Sequence, residues 1–189
     1  MGFDFKFKDK SIKELDRFVE EVLDKLNLKS GSRRKQMYKT GNNKTEPKNS
    51  YSVCYGYCNI GYISATKKRV KVEGVNNLYE TVLLTEFPEL KGIFQQLCDL
   101  YCHKKIDVNQ VHINKNWLSP PHRDKGNENS SFIIGLGDYT GGNLVIERPE
   151  EDVEYNIKNN FLEFNGGLYT HYTKPFEGTR YSLVFYNHK

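Results

Sequence analysis

The sequence predicts a mainly β fold, a sandwich or jelly roll with helices on its outside. Three observations carry that expectation. From residue 107 onward the chain runs as short segments rich in β-branched and aromatic residues: "DVNQVHINKN", "SFIIGLGD", "GNLVIER", "VEYNIK", "FLEFNGG", "LYTHYT" and "TRYSLVFYNHK". Gly, Asn, Asp or Pro stands between most of them, which is the punctuation of closely spaced strands. Two amphipathic helical patterns precede this region, and the length of 189 residues suits one domain able to bury a sizeable core.

The first helical pattern is "SIKELDRFVEEVLDKLNL", where Ile12, Leu15, Phe18, Val19, Val22, Leu23 and Leu26 recur at helical spacing. Ser11 is the expected N-cap, and Glu14 three residues later completes a capping box. A polar stretch follows and no second apolar helix adjoins it in sequence. Residues 1–29 are therefore expected to form an amphipathic helix packed on the outside of the core.

Residues 30–50, "SGSRRKQMYKTGNNKTEPKNS", read as a polar loop or linker carrying six basic side chains and one acidic one. Residues 1–29 carry seven of each sign and residues 51–189 carry fifteen basic and sixteen acidic, so the net charge of +4 resides in this stretch. Its cations are free to meet a phosphate backbone, with Arg33, Arg34 and Lys35 as the candidate contacts. A merely solvated linker is the alternative.

After Asn49 the texture changes to "YSVCYGYCNIGYISATKKRVKV", which predicts short strands and turns. A second helix is expected at about residues 88–104, burying Leu90, Ile93, Phe94, Leu97 and Tyr101. Residues 51–189 would form the main domain, with a jelly-roll core over 107–189. Cys54, Cys58, Cys98 and Cys102 come as two pairs whose spacing permits a zinc site. The helical pattern reads Cys98 and Cys102 instead as small hydrophobes flanking the buried stripe.

No apolar run reaches the ~18 residues of a membrane helix, and "MGFDFKFKDK" has no signal-peptide core. The expectation is an intracellular protein, in cytoplasm or nucleus, neither secreted nor bound to a membrane. Disulfides are not expected there.

The chemistry centres on "SPPHRDKGN". His122 and Asp124 stand two apart, the spacing that puts two strand residues on one face. His122-Arg123-Asp124 also matches the opening of a kinase catalytic loop. The glycine-rich loop, the strand lysine and the Asp-Phe-Gly that kinases require are all missing, which excludes that reading. His171 lies 49 residues beyond His122, far enough for intervening strands to bring it back beside the pair. Two histidines and one carboxylate on one face of a metal form the facial triad of non-haem Fe(II) oxygenases. Arg180 and Ser182 follow on an alternating segment and point the same way, a guanidinium fork beside a hydroxyl that matches the far end of a dicarboxylate.

"HRD", "GLGDYTGGNLVI", "FNGGLYTHYTKPFEG" and "TRYSLVFYNHK", taken in order, resemble the Fe(II)- and 2-oxoglutarate-dependent dioxygenases with a double-stranded β-helix (jelly-roll, cupin-like) core. The resemblance covers roughly Val108 to Lys189, and its last segment looks most like the TET and base-J-binding-protein oxygenases, which oxidise the methyl group of 5-methylcytosine or thymine in nucleic acid. It implies that His122, Asp124 and His171 hold Fe(II), that Arg180 and Ser182 hold the remote carboxylate of 2-oxoglutarate, and that O2 is the cosubstrate. Asn114, on the strand before the His-x-Asp turn, is a further candidate contact to cosubstrate or substrate. The implied partner is nucleic acid, with DNA favoured. A protein side-chain hydroxylase, prolyl or other, is the alternative on the same core, and a metal-free jelly-roll binding module is the non-enzyme alternative. The cysteine-rich region of animal TET proteins has only a poor counterpart in the two cysteine pairs.

Overall fold

The computed structural model describes residues 1–30, 49–59, 70–74, 78–102 and 109–188. Arg33, Arg34 and Lys35, with residues 31–48 of the basic linker, lie outside the described residues. Among the described residues no helix is long and apolar enough to cross a membrane.

Helix α1 spans Ile12–Glu21, shorter than the periodicity predicts. Ser11 caps it, its Oγ accepting the Glu14 N–H at 3.2 Å. Glu14 does not close the expected box: its carboxylate accepts the Lys8 N–H at 3.2 Å and pairs with Arg17 at 2.9 Å. Ile12 is 61 % exposed, so the buried stripe starts at Leu15. Past Glu21 the chain tightens into a 3-10 turn, Leu23–Lys25, which buries Leu23 and Leu26 and brings Asp24 to accept the Tyr181 hydroxyl at 2.5 Å. A tertiary hydrogen bond and two buried leucines outweigh continued helical propensity.

The remaining elements are β1 (Tyr51–Asn59), β2 (Leu78–Glu80), α2 (Val82–Glu86), α3 (Leu90–Tyr101), β3 (Gln110–Lys115), β4 (Asn127–Leu136), β5 (Tyr139–Gly141), β6 (Leu144–Ile146), β7 (Val153–Tyr155), β8 (Leu162–Phe164), β9 (His171–Thr173), β10 (Phe176–Gly178) and β11 (Tyr181–His188). They form a six-stranded antiparallel sheet ordered β2-β1-β3-β11-β4-β8, a three-stranded sheet β7-β6-β9 and a pair β10-β5. This is the jelly roll that the strand pattern predicts. Strands β5 and β10 are additions to it, three residues each, within segments whose glycines and proline read as turns.

Alternation along the strands divides the large sheet into two faces. Tyr181, Leu183 and Phe185 of β11, Tyr51 and Tyr55 of β1, and Ile134 and Leu136 of β4 belong to one hydrophobic cluster with α1 and α3. The two helices meet through Phe18 and Phe94, whose rings lie edge to face at 6.5 Å. Helix α1 therefore does have an apolar helical neighbour, supplied by tertiary folding and not by adjacency in sequence. The opposite face carries Ser182, Val184 and Ile133, and a second cluster of Ile133, Leu144, Ile146, Ile157 and Phe164 fills the space between the sheets.

The cysteine pairs fall on the two sides of this division. Cys98 and Cys102 are buried in the helix-side cluster. Cys54 points the other way, with its Sγ 3.6 Å from Gln110 Oε1 and 3.7 Å from the Tyr186 hydroxyl. Among the described residues the four do not form a metal-holding group.

Candidate active site

The loop from β3 to β4 behaves as an extra lane of the small sheet. Ser119 accepts the Thr173 N–H at 3.0 Å, and His122 and His171 exchange both backbone hydrogen bonds at 3.1 and 3.0 Å. Pro120 and Pro121 help keep this loop extended, since proline fixes φ and biases the residue before it away from helix. Pairing His122 directly against His171 leaves their rings 4.4 Å apart. Asp124 is held by its own N–H, which donates to the Gly166 carbonyl at 2.9 Å, and a turn closes as Asn127 N–H donates to the Asp124 carbonyl at 2.9 Å.

Both histidines are oriented in the same manner. His122 Nδ1 lies 2.7 Å from the Pro120 carbonyl and His171 Nδ1 lies 3.1 Å from the Tyr169 carbonyl. A carbonyl can only accept, so each Nδ1 carries a proton, and Nε2 is the ring atom left to hold a proton against Asp124 or, once that proton is displaced, to offer its lone pair to a metal. Those Nε2 atoms lie 3.7 and 3.5 Å from the two oxygens of Asp124. The three ligand atoms fall within 4.8 Å of one another, a group able to hold a metal ion. Burial pushes the Asp124 carboxyl up, but the hydrogen bond from His171 and the neighbouring imidazoles of His122, His171 and His112 outweigh it. The carboxyl is held below its ordinary value and stays ionised, as a hard-cation ligand must. His171 is the buried member, 4 % exposed, with Phe164 edge-on at 5.0 Å.

Arg180 immediately precedes β11 and is 1 % exposed. Its backbone N–H donates to Asn116 Oδ1 at 2.9 Å, and its carbonyl accepts the Asn116 N–H at 2.7 Å. The guanidinium sits 5.5 Å from the Tyr139 ring and 5.6 Å from the Phe176 ring, between β5 and β10. Its Nε and Nη2 find no hydrogen-bond partner among the described residues, and neither does the Tyr139 hydroxyl. Burial lowers the pKa of Arg180, with the nearby Tyr139 opposing. A buried cation without a counter-charge costs several kcal/mol, and an anionic ligand is the natural complement.

Two glycines make this arrangement possible. At Gly142, φ is +68° and a Cβ would stand 2.9 Å from Cδ and Nε of Arg180. At Gly135 a Cβ would stand 2.2 Å from the Tyr139 hydroxyl. Tyr139, Gly135 and Gly142 are the candidate-site residues that sequence reasoning misses. All three lie in "GLGDYTGG", where the glycines read as turn residues and the tyrosine between them gives no separate signal.

Ser182 is 4 % exposed, and its Oγ accepts from Asn114 Nδ2 at 3.2 Å. The other end of the Asn114 amide is also occupied, Oδ1 accepting the Ser52 hydroxyl at 2.6 Å. Trp117 is 2 % exposed, whereas Tyr172 is half-buried.

No family model matches the chain, and no curated protein sequence matches it significantly. Solved structures do match. NgTET1 in complex with 5mC DNA superposes with a TM-score of 0.51 over 94 % of this chain and 68 % of that one, at 15 % identity. A 2OG-Fe(II) oxygenase family oxidoreductase from Burkholderia pseudomallei gives 0.46 over 98 % and 94 % of the two chains, at 14 % identity. A Pseudomonas putida prolyl-4-hydroxylase gives 0.47 over 97 % and 89 %, at 12 % identity. By its fold the chain is similar to NgTET1, with the jelly-roll core expected from its sequence.

Proposed function

We propose that this chain is an Fe(II)- and 2-oxoglutarate-dependent dioxygenase that hydroxylates a C–H bond, and that its substrate is the methyl group of 5-methylcytosine or thymine in nucleic acid, DNA before RNA. One observation carries the enzymatic part. A two-histidine, one-carboxylate cluster with both imidazole Nε2 atoms turned toward the carboxylate shares the jelly-roll interior with a buried arginine whose Nε and Nη2 find no hydrogen-bond partner among the described residues. The first feature suits Fe(II) and the second suits the far carboxylate of a 2-oxo diacid, so the residues present fit both groups. A binding module has no use for this combination.

In this reading His122, Asp124 and His171 ligate the metal, and Arg180, Ser182 and Tyr139 receive the remote carboxylate. When bound, Fe(II) and 2-oxoglutarate supply the oxidising power of O2, with succinate and carbon dioxide as by-products of hydroxylation. The chain contributes orientation. Pro120 and Tyr169 carbonyls fix the imidazole tautomers, the imidazoles keep Asp124 ionised, and burial of Arg180 excludes water that would weaken its hold on a carboxylate.

The nucleic-acid part rests on three supports: the TET-like ending "TRYSLVFYNHK", the basic stretch 30–50 beside a domain of near-zero net charge, and a fold shared with a protein whose structure was solved with 5mC DNA. Arg33, Arg34 and Lys35 serve as phosphate contacts, with residues 1–29 as an appendage of the 51–189 domain. A base in a duplex would have to leave the stack to reach the metal.

The test is succinate formation from 2-oxoglutarate under air with Fe(II), comparing methylated DNA, unmethylated DNA and no DNA, with His122→Ala as control. Turnover coupled to methylated DNA and lost in His122→Ala is expected. Turnover indifferent to DNA but stimulated by peptides would move the substrate to protein side chains. Nucleic-acid binding should also weaken steeply with salt, and replacing Arg33, Arg34 and Lys35 with Ala should flatten that slope.

A further inference from the structure

The row Ser52, Asn114, Ser182 runs straight across β1, β3 and β11, the three residues being direct cross-strand partners. All three are buried, at 1, 8 and 4 % exposure. The Ser52 backbone N–H is itself fixed, donating to the buried Ser30 Oγ at 2.9 Å. A chain of hydrogen bonds with this composition has a direction, and the distances assign it. The 2.6 Å contact between Ser52 Oγ and Asn114 fits an O–H···O bond, and the 3.2 Å contact between Asn114 and Ser182 Oγ lies at the long end of N–H···O. The amide therefore turns its oxygen to Ser52 and its NH2 to Ser182.

The consequence falls on Ser182. Its oxygen already accepts from Asn114, and no acceptor for its own proton stands among the described residues. We infer that Ser52 and Asn114 are positioning residues that force the Ser182 hydroxyl to act as a donor into the site, so that it joins Arg180 in binding the remote carboxylate of the cosubstrate. This rests on the 2-oxoglutarate reading above. Ser52 lies on a strand outside the expected 107–189 core and acts through Asn114, whose amide orientation it sets. Without its hydroxyl the Asn114 amide can turn over, accept the proton of Ser182 and present the ligand with a lone pair where it needs a donor.

Calorimetric titration of the full chain under anaerobic Fe(II) tests this, with 2-oxoglutarate and 2-oxobutyrate as probes. The second shares the 2-oxo acid head but lacks the remote carboxylate. Ser52→Ala should weaken 2-oxoglutarate about 3- to 10-fold, leave 2-oxobutyrate unchanged, and raise KM for 2-oxoglutarate without lowering kcat. In a Ser182→Ala background the same substitution should change nothing further, because the group it acts through is gone. Equal losses for both probes, an undiminished loss in the Ser182→Ala background, or wild-type affinity in Ser52→Ala would each overturn the inference. Should Ser52→Ala not fold, Asn114→Ala enters the same cycle with the same expected dependence on Ser182. A wild-type protein that binds neither probe would instead overturn the dioxygenase reading, and the inference with it.

Discussion

On the helix side of β11, Tyr181, Leu183 and Phe185 are fully buried among aromatic and aliphatic partners from α1, α3, β1 and β4. On the other side of the same strand end, Arg180 and Ser182 are nearly as deeply buried, yet two guanidinium nitrogens and one hydroxyl proton find no partner among the described residues. The contrast arises within four consecutive residues. The helix side is packed mainly by apolar contact: Phe5, Phe7, Phe18 and Phe94 interlock with ring separations between 4.9 and 6.5 Å, Tyr181 delivers its hydroxyl to Asp24, and the polar atom left without a partner there among the described residues is the neutral hydroxyl of Tyr51, not a charge. The inner side stays polar and incomplete where nearby apolar packing of Ile133, Leu144 and Ile146 shows that it could have been filled. Unmet polar capacity in a dry place is expensive, and it persists where a ligand supplies the missing partner. One face of the sheet holds the fold together, and the other spends some of that stability on a site.

That division can be broken by substitutions whose effects separate activity from stability. The largest expected effect is on activity alone. Asp124→Ala or His122→Ala should reduce turnover by well over the ~100-fold typical of lost outer-shell partners, with little change in melting temperature, because both side chains are partly exposed, at 30 and 22 %. Steady-state succinate formation and a thermal melt on the same samples check both halves. Next comes the helix side. Phe18→Ala empties a fully buried position between the rings of Phe5, Phe7 and Phe94 and should cost about 3–5 kcal/mol in urea unfolding, while the 2-oxoglutarate affinity of the folded fraction stays at the wild-type value. A large change in affinity from Phe18→Ala would show that the faces are coupled.

Smaller effects sharpen the boundary. Gly142→Ala forces a Cβ to within 2.9 Å of Arg180 at a positive φ, so about 1 kcal/mol of strain should accompany a weaker hold on 2-oxoglutarate, seen by calorimetry. Tyr181→Phe removes only the hydrogen bond to the half-exposed Asp24 and should cost about 1 kcal/mol or less, measured by denaturant midpoint, with the inner face unaffected.

The sequence makes the helix side legible because it is written as periodicity. Leu15, Phe18 and Val19 of α1 and Leu90, Ile93, Phe94 and Leu97 of α3 are the stripes that helical spacing predicts. What escapes is where tertiary contacts override local pattern: the early end of α1, drawn in by Asp24 and Leu26, and the exposure of Ile12. On the inner side, side-chain type, spacing and the family resemblance single out His122, Asp124, His171, Arg180 and Ser182 as candidates, and the structure brings the ligand atoms of the first three within 4.8 Å of one another. Tyr139 cannot, since a tyrosine among turn glycines is unremarkable until Gly135 is seen to make room for its hydroxyl. Ser52 escapes for a related reason. Its importance lies wholly in a cross-strand register that no local pattern encodes.

The central claim is that the buried arginine awaits a carboxylate, and thermal melting of the anaerobic, Fe(II)-loaded protein across a 2-oxoglutarate titration tests it most directly. Arg180→Met is the comparison. Wild-type stability should climb with ligand, by about 2.7 kcal/mol at a concentration one hundred times the Kd. Arg180→Met should melt at or above the wild-type temperature without ligand, because an uncompensated buried charge has been removed, and should gain nothing from 2-oxoglutarate. A variant that is destabilised without ligand yet still stabilised by it to the wild-type extent would contradict the account.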